Sequence, residues 1–318
     1  MALLILLLSL IALIWASHQL INGAAGIANY YNLSPMLTGF TLVALGTSTP
    51  EIMIAINAAM DGVNDIALGN AIGTNIANIG LILGIIALLR PLNMQSSFLR
   101  REFPLLFIAM LFTYSLMLDG YLGVVDSCLS LAACVVFIGY ILYISAPNQL
   151  QKKVTESIRQ AVMSRHSLKS YVLSFVTGII VLSLSADLLI KKTMLIAHTL
   201  GLDELFVSLT VIALGSSLPE LATALIAARK GADDIAIGTI LGANLFNLIA
   251  VMAFPGIIHP SAISHAILWR DMPVMFITTF ILFWINARRA RKITRWHGGL
   301  LILVYICYMI SLVVCAIH

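Results

Sequence analysis

The chain has 318 residues, 60% of them hydrophobic and only 10% charged, with a formal net charge of +4. Soluble domains carry about 25% charged residues, so this composition excludes a water-soluble globule and points to a bilayer, where a spanning helix needs roughly 20 apolar residues. No basic patch with interleaved aromatics supports nucleic-acid binding. Cys128, Cys134, Cys307, Cys315 and the scattered histidines lack the spacing of a zinc site.

The first apolar run, 2–21, has no basic residue before it, since the first Lys or Arg of the chain is Arg90. It therefore reads as a retained helix, not a cleaved signal. Further spans are predicted at 36–59, 66–89, 101–118, 122–145, 170–193, 203–228, 235–256, 268–286 and 298–316. The stretch 146–169, APNQLQKKVTESIRQAVMSRHSLK, is the one long polar break, and it separates halves 1–145 and 170–318. The expected fold is an all-α polytopic membrane protein with ten transmembrane helices, five in each half.

The halves are related. At an offset of 169, residues 41–78 align without gaps and 18 of 38 positions are identical. A repeat with an odd number of spans enters the membrane in the opposite sense the second time, which makes this an inverted-topology repeat. With the N-terminus outside, the inside loops hold Arg90, Arg100, Arg101, Lys152, Lys153, Arg159, Arg165, Lys169, Arg229, Lys230, Arg288, Arg289, Arg291, Lys292 and Arg295. The outside loops hold Lys191, Lys192 and Arg270, so the division is 15 against 3. The positive-inside rule then puts both termini outside and the 146–169 linker in the cytoplasm.

The second and seventh spans carry ALGTSTPE at 44–51 and ALGSSLPE at 213–220. An acidic residue at the centre of a membrane helix costs about 2.5–3.5 kcal/mol, so Glu51 and Glu220 need a use. Ala44, Thr47, Ser48 and Glu51 share one helical face, as do Ala213, Ser216, Ser217 and Glu220. Pro50 and Pro219 have no N–H, which deprives the Gly46 and Gly215 carbonyls of helical partners and leaves them to face a cation. The third and eighth spans read GNAIGTNIANI and GTILGANLFNL. Here Thr74 and Asn78 share a face, as do Ala243 and Asn247, and the Asn side chains are candidate ligands. Asn75 and Asn244 point away and read as helix–helix hydrogen-bonding residues. Gly69, Gly73, Gly238 and Gly242 are placed for close backbone approach. Asp61, Asp65, Asp233 and Asp234 read as solvated loop ends, and His18 and Asp187 as interfacial residues near helix ends.

Carboxylates, hydroxyls, amides and carbonyls are hard oxygen donors, which suit Ca²⁺, Na⁺, Mg²⁺ or Mn²⁺ over Zn²⁺ or Cu. A flexible mixed set favours Ca²⁺ over Mg²⁺. Two glutamates can be neutralised by one Ca²⁺, two Na⁺ or two protons, and that competition is a physical basis for exchange. A buried carboxylate can itself carry a proton, so H⁺ is an alternative counter-ion. A passive cation channel and an intramembrane enzyme are further alternatives, although no nucleophile or metal-ligand pattern accompanies the glutamates. No cofactor is expected.

GTSTPE and GSSLPE, each followed by a G-[TA]-N-[IL]-x-N helix, resemble the duplicated motifs of the sodium/calcium exchanger family of calcium/cation antiporters. The length and short linker are most like its bacterial YrbG-type members. The resemblance implies residence in a bacterial inner membrane and alternating access, with cytosolic Ca²⁺ expelled against Na⁺ influx. By motif position it implies Glu51 and Glu220 as the Ca²⁺ carboxylates, with Thr47, Ser216 and the carbonyls of Ala44 and Ala213 around the same centre. Ser48, Ser217 and Thr74 would serve flanking Na⁺ sites, and Asn78 and Asn247 would complete the middle. Some members have Asp in place of Asn247 and Ser in place of Ala243. Both differences bear on Na⁺ stoichiometry, and the absence of Asp at 247 speaks against potassium co-transport.

Overall fold

The computed structural model describes residues 2–31, 33, 35–93, 99–144, 167–199, 213–287 and 292–317. Nearly all of the linker and the first part of the predicted seventh span lie outside the described residues. The described residues are mostly helical. They contain six helices long and apolar enough to cross a membrane, or seven if a helix pair bent by 47° counts as one span.

The long helices are α1 (Ala2–Tyr31), α4 (Asn64–Leu89), α5 (Leu99–Met117), α6 (Val124–Ile144), α7 (Leu168–Thr199), α10 (Asp233–Ile258), α11 (Ile267–Ile285) and α12 (Arg295–Ile317). Two predicted spans are broken. The second comprises α2 (Gly39–Thr47) and α3 (Thr49–Met60), and the seventh includes α8 (Ala213–Ser216) and α9 (Leu218–Arg229). Helices α1 and α7 outrun the predicted spans, so His18 and Asp187 lie well inside long helices and not near their ends.

Large apolar side chains point outward, among them Val125 and Val135, each 71% exposed. Glu51, Glu220, Asn78 and Asn247 are 0% exposed. This inversion of the soluble pattern is what a lipid solvent requires. Cys134 is buried, whereas Cys128 and Cys307 face outward.

Each broken helix turns into its neighbour in the same way. Gly62 and Gly231, 169 residues apart, have φ of +74° and +78°. Val63 N–H donates to the Ala58 carbonyl and Ala232 N–H to the Ala227 carbonyl, both at 2.9 Å. These glycine-closed helix ends send α3 into α4 and α9 into α10.

Each broken helix then packs on the third helix of the other half, α2 against α10 and α8 against α4. Gly242 makes the first crossing possible, because a Cβ there would sit 2.2 Å from the Phe40 carbonyl oxygen. Gly69 differs from expectation, since a Cβ there would meet nothing within 4 Å among the described residues.

Two antiparallel strand pairs tie the ends. β1 (Leu92–Asn93) pairs with β4 (Lys292–Ile293), and β2 (Tyr121–Leu122) pairs with β3 (Ser261–Ala262). Asp233, expected to be solvated, is 7% exposed. It accepts from Asn93 N at 3.0 Å and Nδ2 at 3.2 Å, and lies 3.4 Å from the Arg90 guanidinium. Its counterpart Asn64 donates to the His259 carbonyl and to Ser261 Oγ.

Candidate functional site

Both helix breaks fall on the serine of the repeated phrase. Ser48 has φ −78° and ψ 5°, and Ser217 has φ −81° and ψ −4°. The proline sits in the first turn of the following helix, where its missing N–H would have no intrahelical partner anyway. Glu51 and Glu220 therefore sit in the first turns of α3 and α9. Helix N-termini there present partial positive charge to a carboxylate. The last carbonyls of α2 and α8 end at the same breaks, and helix C-termini favour cations.

Thr47, Ser48, Glu51, Thr74, Asn78, Ser216, Glu220 and Asn247 are all 0% exposed, and Ser217 is 3%. Ala213 lies in α8, but nothing further is described of its side chain. Glu51 lies near enough to Glu220 to interact with it electrostatically, with Ser216 close to Glu51 and Thr47 close to Glu220. Thr47 spends its hydroxyl proton on the Ala44 carbonyl at 3.1 Å, and Ser216 Oγ donates to Asn70 Oδ1 at 3.3 Å. Among the described residues none of the four carboxylate oxygens has a partner in hydrogen-bonding geometry, and the same holds for Ser48 Oγ, Asn78 Oδ1 and Asn247 Oδ1. Buried polar atoms are nearly always paired, so seven orphaned oxygens on the candidate residues amount to a site built for something that binds oxygen.

The carbonyls are less free than expected. Ala44 O accepts the Ser48 N–H at 3.0 Å and the Thr47 hydroxyl at 3.1 Å, which occupies both lone pairs. Pro50 gives no N–H to Gly46, as its chemistry requires, but Gly46 O is not bare. The Thr49 hydroxyl donates to it at 3.1 Å. Its counterpart Leu218 has no hydroxyl to offer Gly215.

The amides of α4 and α10 hold the centre together. Asn75 Nδ2 donates to the Asn244 carbonyl and Asn244 Nδ2 to the Asn75 carbonyl, each at 3.1 Å. Asn78 Nδ2 donates to Asn244 Oδ1 at 2.9 Å, and Asn247 Nδ2 to Asn75 Oδ1 at 3.1 Å. Asn78 and Asn247 each begin a π-helical stretch, Asn78–Leu83 and Asn247–Val251. Such bulges frequently mark functional sites.

Asn70 was not anticipated. It accepts from Ser216 Oγ at 3.3 Å, and Ser216 is also 3.3 Å from Thr74 Oγ1. Its spacing was available in the sequence, because Asn70, Thr74 and Asn78 fall at i, i+4 and i+8 on one face of α4.

The sodium/calcium exchanger protein family matches this chain over residues 1–146 and 170–314. The chain belongs to that family. It is 37% identical to a putative antiporter, CaxA, of Alkalimonas amylolytica, with 95% of each chain covered. It is 32% identical to the inner membrane protein YrbG of Escherichia coli K12, covering 93% of this chain and 92% of that one. The sodium/calcium exchanger MaX1 of Methanosarcina acetivorans is 28% identical, with 97% of each covered. Among solved structures, the sodium-calcium exchanger NCX_Mj soaked with Na⁺ and Ca²⁺ superposes with a TM-score of 0.83 at 25% identity, covering 98% of each chain. These relatives are exchangers, antiporters and membrane proteins. The chain is accordingly an integral membrane protein of a cation-exchanging family, and its orphaned oxygens sit on the exchanger motifs.

Proposed function

We propose that this protein is a secondary antiporter that exports Ca²⁺ in exchange for Na⁺ by alternating access. The exchange takes place at one central site formed by both halves. The observation that carries the reading is the pair of fully buried glutamates whose four oxygens have no hydrogen-bond partner among the described residues. In this reading Glu51 and Glu220 neutralise Ca²⁺, and Asn78 and Asn247 supply neutral oxygens. Thr47 and Ser216 sit between the halves, with the Ala44 and Ala213 carbonyls around the same centre. Ser48, Ser217 and Thr74 line the flanks for Na⁺. For Ala44 this requires the Thr47 hydroxyl to turn away when the ion arrives.

The same geometry accounts for coupling. Two uncompensated carboxylates in an apolar interior cost roughly 5–7 kcal/mol together on insertion scales. A cost of that size suppresses rearrangement of the empty site by a factor on the order of 10,000. Only a site refilled by Ca²⁺, by two Na⁺ or by two protons changes sides readily, which is the requirement for exchange as opposed to leak.

We also read the fold as ten spans in two inverted five-helix repeats, with both termini outside and the 146–169 linker cytoplasmic. The cross-links agree with that topology. Leu92 and Ile293, and Arg90 and Asp233, join loops assigned to the inside. Tyr121 and Ala262, and Asn64 and Ser261, join loops assigned to the outside.

The test is uptake of radiolabelled Ca²⁺ into proteoliposomes loaded with Na⁺, K⁺ or a pH gradient. Uptake driven by internal Na⁺ alone is the expected result. Uptake that follows the pH gradient would replace Na⁺ by H⁺, and uptake that needs no counter-ion would make the protein a channel.

A further inference from the structure

The four asparagines of α4 and α10 form a closed network, and it does more than join two helices. A side-chain amide has one accepting oxygen and one donating nitrogen on opposite edges. Whatever holds the nitrogen therefore decides where the oxygen points. Asn247 Nδ2 is held by Asn75 Oδ1 and Asn78 Nδ2 by Asn244 Oδ1. Asn75 and Asn244 are themselves locked, because each donates its own Nδ2 to the other's backbone carbonyl. Each of Asn75 and Asn244 thus has its amide nitrogen on the other's backbone and its amide oxygen on Asn247 or Asn78, and Asn75 Nδ2 also reaches Met275 Sδ at 3.6 Å. The oxygens left over are Asn78 Oδ1 and Asn247 Oδ1, both buried and without a partner among the described residues.

We propose that Asn75 and Asn244 are positioning residues. They fix the oxygen-inward orientation of Asn247 and Asn78 and so make each of those amides a cation donor. Without that hold, a flip would turn an NH₂ group, the positive end of the amide dipole, towards a divalent cation. The proposal rests on the assignment of Asn78 and Asn247 as ion ligands. In this chain an ionised Asp at 247 would set a carboxylate oxygen against Asn75 Oδ1, acceptor to acceptor, whereas a protonated one could donate in the amide's place.

A double-mutant cycle tests it. The half-saturating Ca²⁺ concentration for Na⁺-driven uptake is measured for the full-length protein, Asn75→Leu, Asn247→Ala and the double variant. If Asn75 acts through Asn247, each single change raises that concentration about tenfold, and the double variant is no worse than Asn247→Ala alone. Multiplied losses would overturn the proposal. So would an Asn75→Leu protein that loses yield or maximal rate with no change in half-saturation, since that is a purely structural role. The mirror cycle, Asn244→Leu with Asn78→Ala, decides the matter if Asn75→Leu does not elute as a single folded species. A wild type that moves no Ca²⁺ sinks the exchanger reading and this proposal with it, whereas independent losses in a transporting wild type sink this proposal alone.

Discussion

Residues 39–60 and 213–229 bring the same serine break and the same buried glutamate to the middle of the molecule, yet their surroundings differ. In the first half the Thr49 hydroxyl holds the carbonyl that Pro50 strands, whereas Leu218 offers nothing equivalent. Thr74 of α4 meets Ser216 across the interface at 3.3 Å, with Asn70 one turn away. At the mirror position α10 has Ala243, and Thr239 spends its hydroxyl on its own helix, on the Ile235 carbonyl at 2.8 Å. The glutamates and Asn78 and Asn247 are shared by both halves, and the flanks are not. A frame with matched halves thus has a symmetric centre of buried glutamates and asparagines and an asymmetric border, richer in oxygen on the Thr74–Ser216 side.

The largest expected effect tests the symmetric part. Glu51→Gln and Glu220→Gln should each reduce Ca²⁺ exchange by at least about 100-fold. One unneutralised charge in the interior costs roughly 2.5–3.5 kcal/mol, and 1.4 kcal/mol is tenfold. Equal losses, read as initial rates of Ca²⁺ uptake, would support a centre to which both halves contribute alike. A variant that keeps a tenth of the wild-type rate would remove that glutamate from the ligand set.

Next comes the border. Thr74→Ala makes the first flank resemble the second, and should raise the half-saturating Na⁺ concentration about five- to tenfold, the worth of one good hydrogen-bonding oxygen. Ca²⁺ half-saturation should change less than about twofold by the same argument. Ala243→Ser is the reverse change and should lower the Na⁺ requirement. If Thr74→Ala shifts both ions equally, the two flanks do not divide monovalent from divalent binding.

Thr49→Leu sharpens the comparison at the break itself, by giving the first half the chemistry of the second. It removes the Thr49 hydroxyl from the Gly46 carbonyl, which can then serve an ion. The half-saturating Na⁺ concentration should fall about threefold, within the worth of one net hydrogen bond. A lower melting temperature with unchanged Na⁺ dependence would show that the Thr49 bond only stabilises the bend.

How much of this was legible beforehand follows from the solvent. In a chain that must face lipid, each buried polar residue is costly, so Glu51, Glu220, Asn78 and Asn247 stood out and their repetition tied the halves together. Asn75 and Asn244 were separable from Asn78 and Asn247 by helical angle alone. Features that depend on a partner were not legible. Pro50 pointed to a stranded Gly46 carbonyl, but whether Thr49 turns back to meet it depends on a rotamer. Gly69 and Gly242 look alike in sequence, and only the path of the crossing helix decides which of them lies under a backbone. Asp233 follows a polar turn at the start of α10 and reads as solvated, because nothing local reveals that Arg90 and Asn93, from the other half, close over it.

Those two latches allow the mildest test. Asp233 is held by a guanidinium and two amide donors, whereas Asn64, its counterpart, is held by a carbonyl and a hydroxyl. The Arg90 side chain is 43% exposed, so solvent screens the pair, and exposed pairs contribute only about 0.2–1 kcal/mol. Arg90→Gln should lower the melting temperature of the detergent-purified protein by about 1–3 °C. The loss should shrink in high salt, because screening already weakens the wild-type pair. Asn64→Ala removes neutral hydrogen bonds and should give a loss that salt does not change. Equal salt dependence in both variants would mean that the charge on Asp233 contributes nothing its neutral counterpart lacks. A difference would show that the halves, matched at their buried glutamates, are fastened at their ends by different physics.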